Sequence, residues 1–233
     1  MGEKVAIITA AGKGIGAAIA RELAEAGYQL ALMSNAGGAV ALAAELGGIG
    51  MTGSVSEPDD LKKLVEATME KYGRVDAVVV NTGHPPKGDI LAISDEDWHQ
   101  GLELLILPVA RMARLVTPIF EQQGRGAMVN ISTFSAFEPS PSFPVSSALR
   151  AGLAGYTKLY ADRYAEAGIR MNNVLPGFMD NYPSSPEVVE QIPMKRYAKV
   201  QEVAKTVRFL LSDDAGYITG QNIRVDGGIT HGL

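Results

Sequence analysis

The sequence predicts a single α/β domain of Rossmann type, a doubly wound parallel sheet with helices on both faces. Three observations predict it. Short runs of Val, Ile, Leu and Ala lack polar alternation, each is followed by apolar residues at helical spacing, and a glycine cluster joins the first run to the first helix. Strands without alternation are buried on both faces. Strands separated by helices pair in parallel through right-handed crossovers.

The elements follow in order. Lys4–Thr9 reads as a strand ending in glycines, and Ile15, Ile19 and Leu23 mark the helix behind it. Gln29–Met33 reads as a strand, Ala39–Leu46 and Leu61–Tyr72 as helices, and Val75–Val80 as a buried strand. One long helix is expected from Asp95 to Gln122, then a strand over Ala127–Ile131. A helix over Ser146–Ala167 precedes the strand Arg170–Val174. After Pro176-Gly177 an irregular stretch rich in proline and serine runs to Tyr197, followed by the helix Glu202–Leu211 and the strand Asn222–Val225. No linker or repeat divides residues 1–233, so one domain is expected.

Composition narrows the function. With 233 residues, 46% hydrophobic and 20% charged, the chain can bury a large core. A net charge of −5 is the wrong sign for neutralising a phosphate backbone, so nucleic acid is not expected as a partner. No apolar run approaches the roughly 20 residues of a bilayer span and no signal segment precedes the first strand, so a cytoplasmic location without membrane attachment is expected. The absence of cysteine excludes disulfides and thiolate chemistry. His84, His99 and His231 show no metal-ligand spacing, and no metal is expected.

Thr9-Ala-Ala-Gly12-Lys13-Gly14-Ile15-Gly16 lies between the first strand and its helix, where helix N-terminal amides can hold a pyrophosphate and glycines let backbone and ligand approach. This turn, Val80-Asn81-Thr82-Gly83, Val129-Asn-Ile-Ser132, Leu175-Pro176-Gly177 and Tyr217–Gly228 together resemble, in order, the landmarks of the short-chain dehydrogenase/reductase family. Ala10 replaces a family glycine. The resemblance, nearest to the 3-oxoacyl-ACP reductase-like group, implies a nicotinamide cofactor, a small-molecule substrate and a homo-oligomer, tetramer or dimer. In this family the fourth and fifth helices pair across subunits, and Leu102, Leu105, Ile106, Leu153 and Tyr160 supply apolar surface for that. At the end of the second strand an acid would repel a 2′-phosphate. Ser34-Asn35 stands there instead, and with Lys13 it favours NADP(H) over NAD(H).

The resemblance also places the chemistry. Family enzymes use a tyrosine and a lysine four residues later on one helix, a serine from the preceding strand and an asparagine from the fourth helix. Here Ser146 stands at the tyrosine position, Arg150 at the lysine, Thr133 at the serine with Ser132 beside it, and, with Trp98 aligned to that helix's start, Leu105 at the asparagine. An aliphatic hydroxyl is a far weaker acid than a phenol, and guanidinium stays protonated. Arg150 can hold the nicotinamide ribose or a substrate carboxylate; Ser146 and Thr133 can bond a substrate oxygen. His84, Tyr182 in the substrate-covering segment 178–199, and Glu138 are the remaining candidates for moving a proton. The expected function is an NADP(H)-dependent oxidoreductase with a non-standard donor, acting on a carbonyl, an alcohol or an activated C=C. Relatives resembling dienoyl-CoA reductases carry serine at the position of Ser146. The alternatives are a cofactor-binding homologue without turnover, acting as a sensor or partner subunit, and a lyase resembling halohydrin dehalogenases.

Overall fold

The computed structural model describes residues 3–232. Along the chain come β1 (Val5–Ile8), α1 (Gly14–Glu25), β2 (Gln29–Ser34), α2 (Gly38–Leu46), β3 (Ile49–Thr52), α3 (Pro58–Tyr72) and β4 (Ala77–Val80). Then follow α4 (Asp95–Leu105), α5 (Leu107–Gln123), β5 (Gly126–Ile131), α6 (Pro144–Tyr164), β6 (Ile169–Pro176), α7 (Pro186–Gln191), α8 (Val200–Leu211) and β7 (Asn222–Val225). The seven strands form one sheet in the order β3-β2-β1-β4-β5-β6-β7, every neighbouring pair parallel.

Two apolar layers cover the sheet. Ala6, Ile8 and Leu32 turn to one face, where Ile19 and Leu23 of α1, Leu42 of α2 and Val203, Val207 and Leu210 of α8 pack on them. Ile7, Met33 and Val78 turn to the other, under Leu61 and Leu64 of α3, Met112, Val116 and Phe120 of α5 and Leu153 of α6. The alternation of side chains along a strand assigns each residue to its layer, and burial on both faces explains the unbroken apolar runs.

Three elements depart from the sequence expectations. The helix expected over Asp95–Gln122 is two helices, broken at Ile106 (φ −108°, ψ −50°). Pro108 causes the break, because it has no N–H for the Leu104 carbonyl and its ring crowds that turn. Pro118, by contrast, stays inside α5 on the solvent side, where water can serve the freed carbonyl. β3 carries no strand signal of its own and exists through its pairing to β2, from Ala31↔Ile49 to Ser34↔Thr52. The stretch before Tyr197 contains the short α7, capped by Ser185, whose hydroxyl accepts from the Val188 amide.

At the amino-terminal edge of the sheet the buried Asp76 joins three segments. Its carboxylate accepts from the Val5 amide (2.9 Å), from Arg74 Nε and Nη2 (2.8 and 2.6 Å) and from Arg125 Nη2 (3.3 Å). Burial pushes this carboxyl up, but the bonds from Arg74, Val5 and Arg125 outweigh burial and hold it below the usual aspartate range.

Candidate functional site

The chain order reverses between β1 and β4, so the carboxyl ends of these two strands open the crevice in which such sheets bind ligands. Thr9, fully buried, ties the two together: its hydroxyl donates to the Asn81 carbonyl (2.7 Å) and accepts from the Asn81 amide (3.0 Å). Asn81 Nδ2 in turn donates to the Ala10 carbonyl (3.3 Å). Thr9 and Asn81 thus shape the turn from behind. Ala10 takes a left-handed φ of +47°, and Gly14 one of +56°. A Cβ on Gly16 would stand 2.2 Å from the Ala10 carbonyl oxygen, so only glycine lets α1 start this close to the turn. No side chain caps α1, leaving the first-turn amides of Gly14, Ile15 and Gly16 for a ligand. Gly12 backs onto Ser34, and Lys13 stands exposed at the N-cap of α1.

The two residues expected to read the cofactor's adenosine end have different positions. Ser34 is buried and its hydroxyl is occupied, donating to the Ala36 carbonyl (2.6 Å) and accepting from the Ala39 amide (3.1 Å), so it fixes the start of α2. Asn35 next to it is exposed.

On the far side of the crevice, α6 carries Ser146, half-buried on its first turn, and Arg150 one turn later, 7% exposed. The Arg150 guanidinium donates through Nη1 to the Ile131 carbonyl at the end of β5 (2.5 Å), while its Nε is buried without a partner. No carboxylate pairs with it among the described residues, and burial lowers its pKa to about 10, leaving it charged at neutral pH. An uncompensated buried cation beside a crevice is costly unless a ligand supplies the missing acceptor. Thr133 is extended at the start of a 3-10 turn (Phe134–Ala136) and half-buried. Leu105 is buried in the last turn of α4, where it can hold neither water nor substrate by hydrogen bonding.

Two loops close the crevice from above. Gly83 and His84 follow β4, and the loop is anchored where Lys87 lies over the Phe143 ring (5.0 Å to the centroid), three residues before Ser146. Pro176-Gly177 ends β6. From there Phe178 stacks between Phe134 and Tyr197, and the Asp180 and Ala198 amides bond the Ala198 and Phe178 carbonyls, pinning the segment at its base. The segment returns over the glycine turn, with the Asn181 amide 3.2 Å from where a Gly14 Cβ would lie. His84 Nε2 and the Tyr182 hydroxyl then meet at 2.5 Å, joining the two loops. Burial lowers the His84 pKa, and the positive charges of Lys87, Arg150 and Lys13 lower it further.

Some expectations are corrected. Glu138 is not a free base: its carboxylate holds the His231 amide (2.6 Å) and Nδ1 (2.9 Å), tying down the C-terminal tail. Leu105, Leu153 and Tyr160 are spent within this chain, Tyr160 with its hydroxyl 2.6 Å from that of Thr117, and so offer no surface to a partner. Lys87 and Asn181 were not legible as site residues, because lysine or asparagine in a loop has no periodicity to place it. A separate cleft of about 430 Å³ between β7 and the 178–199 segment, lined by Phe178, Arg196, Arg224 and Asp226, contains none of the predicted site residues.

The chain matches the family described as enoyl-(acyl carrier protein) reductase over residues 9–230. It is 34% identical to a 3-oxoacyl-[acyl-carrier-protein] reductase of Synechocystis, covering 97% of this chain and 96% of the relative. It is also 34% identical to the human dehydrogenase/reductase SDR family member 4, over 98% of this chain and 88% of the relative. Among solved structures, L-sorbose reductase from Gluconobacter frateurii, complexed with NADPH and L-sorbose, superposes with a TM-score of 0.92 at 28% identity, covering 99% of this chain and 98% of that one.

Proposed function

The chain belongs to the short-chain dehydrogenase/reductase family, and from that premise we propose that it is an NADP(H)-dependent oxidoreductase in which a non-standard group moves the proton. Its substrate is a carbonyl or activated C=C in a small molecule or acyl thioester, or the matching alcohol. The observation that carries this reading is the crevice itself. A turn that only Gly16 can close lies across from the buried Arg150, whose guanidinium has the Ile131 carbonyl for one acceptor, a buried Nε without a partner and no carboxylate among the described residues.

The residues fit a nicotinamide dinucleotide. The amides of Gly14, Ile15 and Gly16 take its pyrophosphate, supported by Gly12, Thr9 and Asn81 from behind. Gly83, Pro176 and Gly177 form the walls at its reactive end, and segment 178–199 covers the substrate. Arg150 supplies the fork of donors for ribose hydroxyls or a substrate oxygen. Thr133, after β5, and Ser146, on the first turn of α6, supply hydroxyls for the substrate oxygen. Lys13, and Asn35 in place of an acid at the end of β2, suit a 2′-phosphate at the adenosine end, whereas Ser34 contributes by holding α2 in place. When bound, the nicotinamide supplies or accepts the hydride. The relatives' printed activities, 3-oxoacyl and sorbose reduction, support reduction as the working direction.

One observation favours a second reading, a cofactor-binding homologue without turnover: Leu105 is sealed in the core and Ser146 offers only an aliphatic hydroxyl. Fluorescence titration with NADPH and NADH separates the readings, followed by nicotinamide absorbance with acetoacetyl-coenzyme A, 2,3-butanedione and cyclohexenone. NADPH binding tighter than NADH, with turnover of a probe, is the expected result. Binding without turnover supports the silent homologue, and no binding removes both.

A further inference from the structure

We propose that Tyr182 and His84 form the proton relay of this site, with Tyr182 as the catalytic acid and His84 as the group that recharges it. The inference rests on the reductase reading above. The two side chains come from different loops, one after β4 and one after β6, and meet at 2.5 Å with their rings edge to face, 5.4 Å between centroids. Both loops sit at the carboxyl edge of the sheet. The β4 loop is anchored to the start of α6 through Lys87 and Phe143, and the other passes over Gly14 through Asn181. The pair therefore spans the crevice between the cradle and the α6 turn that carries Ser146 and Arg150.

The chemistry needs what the pair offers. A phenol is the acid that a carbonyl reduction calls for, and Ser146 cannot replace it because a serine hydroxyl is several pKa units weaker. As hydride reaches the substrate carbon, the carbonyl π pair becomes a new O–H bond with the Tyr182 proton. The phenolate oxygen takes the proton on His84 Nε2, and Nδ1 takes one from water, which the exposed His84 reaches. One hydride and one proton are added to the substrate and the cofactor is oxidised. The water is left as hydroxide for the solvent to neutralise, and the imidazole, now carrying its hydrogen on Nδ1, returns to the Nε2–H tautomer by proton exchange with water before the next cycle. For this, His84 is neutral with its hydrogen on Nε2. The groups facing it are cations or neutral: Lys87 on its own loop, Lys13 on the glycine turn, Arg150 on α6, and the Tyr182 hydroxyl. That field disfavours imidazolium.

The test uses Tyr182→Phe, His84→Gln and Ser146→Ala. Because the chain has three histidines, the imidazole nitrogens can be assigned by substitution and followed by NMR in the protein without cofactor. His84 is expected to titrate below the ordinary histidine value and to carry its hydrogen on Nε2, and Tyr182→Phe is expected to shift both properties. With NADPH and acetoacetyl-coenzyme A, Tyr182→Phe should lower kcat/KM by about 10²- to 10⁴-fold at unchanged NADPH affinity. His84→Gln should lower kcat by about 10-fold and remove the acid-side inflection of the pH profile. Full activity in Tyr182→Phe, or a His84 titration and tautomer indifferent to it, overturns the relay, as does an acid-side inflection that disappears in Ser146→Ala but persists in His84→Gln. A parent that binds NADPH but reduces none of the three probes overturns the reductase reading, and the relay with it.

Discussion

The two edges of the sheet hold their buried charges in opposite ways. At the amino edge Asp76 is met by a backbone amide and two arginines, every contact within the protein. At the carboxyl edge Arg150 is equally buried but has one carbonyl for a partner, a stranded Nε and, among the described residues, no carboxylate. The satisfied charge holds three segments of the fold together. The unsatisfied one keeps bonding capacity unused within the fold. The contrast separates stability from binding within one sheet, and substitutions at each edge should damage one property and spare the other.

The largest effect is expected from Gly16→Ala. The added Cβ meets the Ala10 carbonyl, displaces the start of α1, and should weaken NADPH binding by about 100-fold, near 2.7 kcal/mol; a fluorescence titration within threefold of the parent would contradict it. Asp76→Asn should cost about 2–3 kcal/mol of stability through its lost charge-assisted bonds. In a chain of this size that lowers the melting temperature by about 5–10 °C, with NADPH affinity unchanged. Because the folded Asp76 pKa is lowered, its contribution is present above the unfolded value near 4 and disappears as pH falls through the folded value. Melting curves taken from neutral pH downward should therefore converge for parent and variant.

Arg150→Met should show the reverse pattern. NADPH affinity falls by about 10-fold, while stability changes by under about 1 kcal/mol, since relief of the unpaired buried charge offsets the lost bond to Ile131. A large drop in chemical-denaturation midpoint would place Arg150 with Asp76 as a structural charge. The smallest effect belongs to Ala10→Gly. Removing a left-handed alanine at φ +47° relieves about 1 kcal/mol, less the extra freedom glycine gains when unfolded, so a small gain in melting temperature is expected without change in binding.

Much of this was legible in the sequence. The strands β1, β2 and β4 announced themselves as apolar runs because they are buried on both faces, and the glycine turn announced itself because Gly14 and Gly16 answer backbone demands that other residues cannot meet. Proline misled in one place: the periodicity from Asp95 to Gln122 is continuous, and only the crowding at Pro108 divides it. β3 could not be read because its four residues form a strand only by pairing with β2.

Local pattern and spacing along the chain were enough for six of the seven strands and for the glycine turn, and they set the proposal for which residues stand at the family's catalytic positions. The tertiary structure alone decided which of those residues are free to act. It turned the Ser34 hydroxyl inward to α2, gave Glu138 to His231, left the Arg150 Nε buried without a partner among the described residues, and brought His84 and Tyr182, 98 positions apart, to hydrogen-bonding distance. The reason is physical. Whether a donor or a charge is spent or available depends on what folds against it, and contacts between distant loops leave no periodic trace in the chain.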